Sequence, residues 1–90
     1  MAAIALRHIS DPIEAIIATA LDARGIEYAH DGSGETNGLD FWLPTLGTYI
    51  ECKAYHSPRI AEQMTRTPNI IVVQGIAAAH AFAALISPAP

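Results

Sequence analysis

Ninety residues allow a single domain with a modest core, since a chain this short buries only somewhat over ~60% of the surface it exposes when unfolded. Hydrophobic content is 51% against 16% charged, and alanine supplies much of the apolar share, so bulky core residues are few and a homodimer is the expected assembly. The formal net charge of −4 argues against a broad basic surface for nucleic acid, a lone cysteine excludes an internal disulfide, and no apolar run is long enough to span a membrane.

Residues 1–10 form a leader without an assigned element. Its apolar stretch is short and its arginine follows that stretch, so it does not read as a signal peptide, and a cytoplasmic location is expected. Asp11-Pro12-Ile13-Glu14 then announces a helix, with Asp11 as N-cap, Pro12 at the first helical position and Glu14 completing a capping box. Ile13, Ile16, Ile17, Ala20 and Leu21 recur at helical spacing and mark its buried face, and Gly25 ends it. Residues 26–30 alternate weakly, with Ile26 and Tyr28 on one face, and read as the first strand. Residues 31–38 carry Gly32, Gly34 and Gly38 among small polar residues and predict a flexible loop. The loop lacks the lysine after glycine of a phosphate-cradling P-loop. It is either a plain connection or a flap that closes over whatever binds near Asp40.

Residues 38–53 carry the densest signal. Two apolar runs rich in aromatic and β-branched residues flank Pro44-Thr45-Leu46-Gly47, which predicts a β-hairpin. Alternation along the second strand puts Tyr49, Glu51 and Lys53 on one face and Ile50 and Cys52 on the other. In the first strand Asp40 shares a face with Trp42, opposite Leu39, Phe41 and Leu43. A register that sets Asp40 beside Glu51 gathers two carboxylates and an ammonium into one patch. Two negative charges about 4 Å apart repel by roughly 4 kcal/mol at an effective dielectric of 20, so such a patch calls for a cation. Hard oxygen ligands suit Mg²⁺ or Mn²⁺. The bland alternative is a surface Glu51–Lys53 pair next to an unrelated aspartate.

Beyond Lys53, Ser57 as N-cap and Pro58 as first residue predict a short helix over about 58–66, with Ile60, Ala61 and Met64 as its apolar stripe. Arg59, Glu62, Gln63 and Arg66 are its polar positions. Lys53, Arg59 and Arg66 are three of the five lysines and arginines, and with His56 they concentrate positive potential beside the charged patch. A phosphate-binding edge and an ordinary wet helix face both fit them. Residues 69–74 contain four consecutive β-branched residues and predict a strand covered on both sides, parallel to its predecessor across the helical crossover. Residues 76–86 predict a last helix that packs Ala78, Phe82, Leu85 and Ile86 on the sheet. Ala77, His80, Ala81 and Ala84 form a second, small-residue stripe, either exposed or seating a symmetry mate.

An aspartate on one strand followed by Glu-x-Lys on the next, here Gly38-Leu39-Asp40 and Glu51-Cys52-Lys53, resembles the core of the PD-(D/E)XK nuclease superfamily. The nearest flavour is the small stand-alone phage-type, VRR-NUC-like members. The resemblance spans about residues 11–75, and Leu39 replaces the proline of the motif, which is not a ligand. It implies an α/β fold: a minimal restriction-endonuclease-like αβββαβ core, its mixed sheet flanked by helices, with an added C-terminal helix. It further implies a Mg²⁺- or Mn²⁺-dependent endonuclease acting on DNA, with Asp40, Glu51 and the backbone carbonyl of Cys52 holding the metal. Lys53 would orient or help deprotonate the attacking water. Relatives of this kind carry a glutamate on the first helix that assists metal or water binding, and a glutamine on the helix after the motif; Glu14 and Gln63 are the corresponding residues. Arg59, Arg66 and His56 are the candidate substrate contacts. The alternative from another class is a non-catalytic nuclease-fold module that binds DNA or a protein, which the acidic charge favours. Nucleophilic catalysis by Cys52 is set aside, because its side chain faces the core and no histidine is placed to activate it.

Overall fold

The structure is a computed structural model that describes residues 9–30, 36, 38–55 and 58–87. The elements in order are α1 (Pro12–Arg24), β1 (Ala29–His30), β2 (Phe41–Leu43), β3 (Thr48–Lys53), α2 (Arg59–Arg66), β4 (Ile70–Gln74) and α3 (Ile76–Ile86). The four strands form one mixed sheet in the order β1-β2-β3-β4, with the first two pairings antiparallel and β3–β4 parallel. This is the expected α/β architecture, helices flanking a mixed sheet with a helix at the C-terminal end.

The caps of α1 explain its length. The Asp11 side chain accepts from the Glu14 N–H at 2.9 Å, satisfying one of the unpaired amides of the first turn. At the other end Gly25 adopts φ 75°, and its N–H and that of Ile26 return to the carbonyls of Asp22 and Leu21. That closing turn has a consequence for the first strand. The Ile26 amide is spent on the helix, and pairing with β2 begins only at Ala29, so the strand is Ala29–His30 rather than 26–30.

Phe41 pairs with Ile50, Trp42 with Tyr49 and Leu43 with Thr48 around the Pro44–Gly47 turn, as the hairpin reading requires. Phe41, Leu43 and Ile50 are buried on one face of the sheet together with Val73, Ile13, Ile17, Ala18, Leu21, Tyr28 and Ala79. Helices α1 and α3 pack together and supply the helical half of that core. Tyr28 meets Phe41 edge to face at 5.4 Å between ring centroids. On the other face Trp42 and Tyr49 are in ring contact at 4.6 Å.

Four expectations are corrected, three of packing and one of capping. Strand β4 is an edge strand, not one covered on both sides: Ile71 is 39% exposed and only Val73 is buried. In α2 only Ile60 is buried, and Ala61 and Met64 face solvent, because the helix turns Gln63 inward instead. Pro58 is the N-cap of α2 rather than its first residue, and Ser57 lies outside the described residues. In α3 Leu85 is 81% exposed, while Ala78, Phe82 and Ile86 pack on the core as expected and Ala79, on neither predicted stripe, is fully buried. Ala77, His80, Ala81 and Ala84 are exposed.

Candidate active site

The ladder between β2 and β3 ends at Phe41 and Ile50, and the site occupies the gap that opens there. Leu39, which would continue the pairing opposite Cys52, instead donates its N–H to the Thr36 carbonyl at 2.9 Å. The Cys52 N–H is left to a side chain, and Asp40 Oδ2 accepts it at 2.7 Å. In return the Asp40 N–H donates to Glu51 Oε1 at 3.2 Å. Each carboxylate thus replaces a strand bond across the gap, which locks both side chains to backbone rather than leaving them free on the surface. The N–H and C=O of one strand residue point the same way. The Cys52 carbonyl therefore faces the same gap, whereas Lys53 turns toward β4 and its carbonyl accepts from Gly75 N–H.

Glu51 is 6% exposed, unusual for a carboxylate and sustained by its partners. Its Oε2 lies 2.8 Å from Lys53 Nζ and 3.4 Å from Gln63 Nε2. Through Gln63, α2 reaches the Glu51 carboxylate. The Gln63 Oε1 is buried with no hydrogen-bond partner among the described residues. Burial pushes the Asp40 carboxyl up to about 7; the Cys52 N–H opposes the rise, and the Glu51 and Glu14 carboxylates add to it. Burial also drives the Cys52 thiol far up, with Asp40, Glu14 and Glu51 reinforcing the effect, so this sulfur is a poor nucleophile.

Glu14 answers a question the sequence left open. Asp11 caps the Glu14 amide, but the Glu14 side chain does not complete the capping box. Its Oε1 is 2.8 Å from His30 Nε2, and its charge acts on Asp40 and Cys52. Asp40, Glu51, Lys53, Gln63 and Glu14 are therefore gathered at one end of the sheet. Arg59 and Arg66 line an adjoining polar cleft of about 350 Å³ together with Gly38, Leu39, Gln63 and Thr67. His56 lies outside the described residues. His30 was missed by sequence reasoning. The available signal was its place at the end of a strand antiparallel to residue 41, which puts it one residue from Asp40.

The donor set can be tested against a divalent cation by its chemistry. Among the described residues no three or more His, Cys, Asp and Glu side chains form a chelating group. Magnesium does not need one, since it keeps several waters and is held by one or two carboxylates. Two carboxylates and a backbone carbonyl at one gap, with the proton affinity of Asp40 raised by burial and neighbouring negative charge, are a set such an ion fits. No helix among the described residues is long and apolar enough to cross a membrane. No family model, no curated protein and no solved structure matches this chain.

Proposed function

We propose that this protein is a Mg²⁺- or Mn²⁺-dependent nuclease of the PD-(D/E)XK type that hydrolyses DNA phosphodiester bonds. It acts as an endonuclease on branched or structured DNA in replication, recombination or repair. The observation that carries the reading is the reciprocal clasp in which Asp40 holds the Cys52 amide and Glu51 holds the Asp40 amide, with Lys53 on the same carboxylate. Asp40, Glu51 and the Cys52 carbonyl are the residues that would hold the ion. When bound, it supplies Lewis acidity toward the phosphoryl oxygens and a lower pKa for coordinated water.

The chain's own residues account for the rest of the chemistry. Arg59 and Arg66 bring positive charge to the cleft beside Gln63, where a phosphate backbone would lie. Gln63 holds Glu51 by its amide N–H and presents a buried acceptor oxygen next to the site. The Lys53 ammonium orients the attacking water and offsets charge that builds on the phosphoryl oxygens. The water oxygen bonds to phosphorus, the bond from phosphorus to the leaving sugar oxygen breaks, and that oxygen takes up a proton while the attacking water releases one to solvent. In this reading the protein works in the cytoplasm as a homodimer.

Incubation with branched, single-stranded and duplex DNA in Mg²⁺ or Mn²⁺ tests it. Cleavage products are expected with the parent chain and none with folded Asp40→Ala, Glu51→Ala or Lys53→Ala. Unchanged cleavage by any folded variant removes that residue from the assignment. The second reading, a non-catalytic module that binds DNA or protein, draws on the net charge of −4 and predicts DNA retention without products in either metal.

A further inference from the structure

His30 contributes nothing to the clasp between the two hairpin strands, yet its position is tightly determined. Its backbone pairs with Phe41, the residue after Asp40, and its ring lies 4.9 Å from the fully buried Phe41 ring. Its Nε2 stands 2.8 Å from Glu14 Oε1, with the two side chains 13% and 16% exposed. A carboxylate only accepts, so Nε2 is the donor in this contact. Glu14 is the less constrained partner. At the third position of a helix a glutamate ordinarily turns back to the N-cap amide. Here it extends the other way, toward the strand that leads into the site.

We propose that His30 is a positioning residue that holds the Glu14 carboxylate at the Asp40 end of the sheet, where it joins Asp40 and Glu51 around the divalent ion, so that affinity for the ion depends on a histidine that is not itself a ligand. The proposal rests on the nuclease reading and deepens it. One well-packed ring fixes one long side chain, and the cost of restraining Glu14 is met in folding rather than on each binding event. Partners that orient the groups around a metal in this way typically change affinity 10- to 100-fold when lost.

The test is calorimetric titration of Mn²⁺ into the full chain and its variants, with thermal unfolding run in parallel. His30→Leu is expected to weaken binding about tenfold, and His30→Gln, whose amide N–H reaches nearly the same point, to stay within about threefold of the parent. His30→Asn stops short of Glu14 and should match His30→Leu; it serves as the disrupting variant if leucine is not tolerated in the fold. In a Glu14→Ala background the disrupting change should have no further effect, as expected of two residues acting through one contact. A purely structural histidine would lower the melting temperature without moving affinity, and glutamine would not rescue it. Unchanged Mn²⁺ affinity in a folded disrupting variant, no rescue by His30→Gln, or losses that add independently to those of Glu14→Ala would each overturn the proposal. Binding that Asp40→Ala abolishes but the His30 variants leave intact refutes the positioning role alone. No binding by the parent chain refutes the nuclease reading and the positioning role with it.

Discussion

Asp40→Asn is expected to make the ion-free protein more stable while removing its response to Mg²⁺. The amide oxygen of asparagine still accepts the Cys52 N–H that Asp40 Oδ2 takes at 2.7 Å, so the clasp keeps its shape and loses only a charge. That charge is held against burial and beside Glu51 and Glu14. Like charges about 4 Å apart repel by about 4 kcal/mol at an effective dielectric of 20. Asp40 is partly exposed and Lys53 already pairs with Glu51, so screening reduces the expected gain to about 1–2 kcal/mol. At roughly 4–8 °C per kcal/mol for a domain of this size, the melting temperature should rise by about 4–16 °C.

The same electrostatics set the pH dependence. The carboxyl is raised from 3.8 when unfolded to about 7 when folded, so the folded state binds this proton more tightly. The associated stability is fully present below 3.8 and is lost as pH rises through about 7. The advantage of Asp40→Asn should therefore be small near pH 4.5 and full near pH 8. Thermal melts of both proteins at the two pH values, with a chelator and with millimolar Mg²⁺, measure it. Added Mg²⁺ should raise the parent melting temperature at pH 8 and leave the variant unmoved. An asparagine variant that melts at or below the parent at pH 8 with chelator, or a difference that does not change with pH, refutes the reasoning.

Three further outcomes are expected. Arg59→Ala and Arg66→Ala should each weaken DNA binding with little change in sequence preference and reduce the slope of log affinity against log salt by about 1, read from titrations at several salt concentrations; an unchanged slope removes that arginine from the phosphate edge. Ile50→Ala, at a fully buried position between Phe41 and α1, should cost about 2–5 kcal/mol by denaturant midpoint, and a loss under ~1 kcal/mol would contradict the packing described. Asp11→Ala should cost about 1 kcal/mol by the same measurement through loss of the cap on Glu14 N–H, while Asp11→Ser should keep most of it.

The local chemistry of the chain was enough for the order of elements and for the meeting of Asp40, Glu51 and Lys53. Asp11, Pro12 and Gly25 bound α1 because caps act within a turn. The turn at Pro44–Gly47 sets the register of its own two strands, and that register carries Asp40 to Glu51. Lys53 follows from alternation, since a period of two cannot put residues 51 and 53 on different faces. The crossover to a parallel β4 follows from an intervening helix.

What covers each surface was decided only by the fold. Ile71, Met64 and Leu85 are apolar at positions where periodicity predicts burial, yet they are exposed because β4 lies at the sheet edge and α2 and α3 present other residues inward. Glu14 could serve its own helix or a distant strand, and nothing within its turn chooses between them. The choice falls to His30, sixteen residues away, whose pairing with Phe41 places a ring N–H where the Glu14 carboxylate can reach it. Caps, turns and alternation are short-range and legible in one sequence. Coverage and side-chain partnership depend on which elements meet in space, and the tertiary packing settles them.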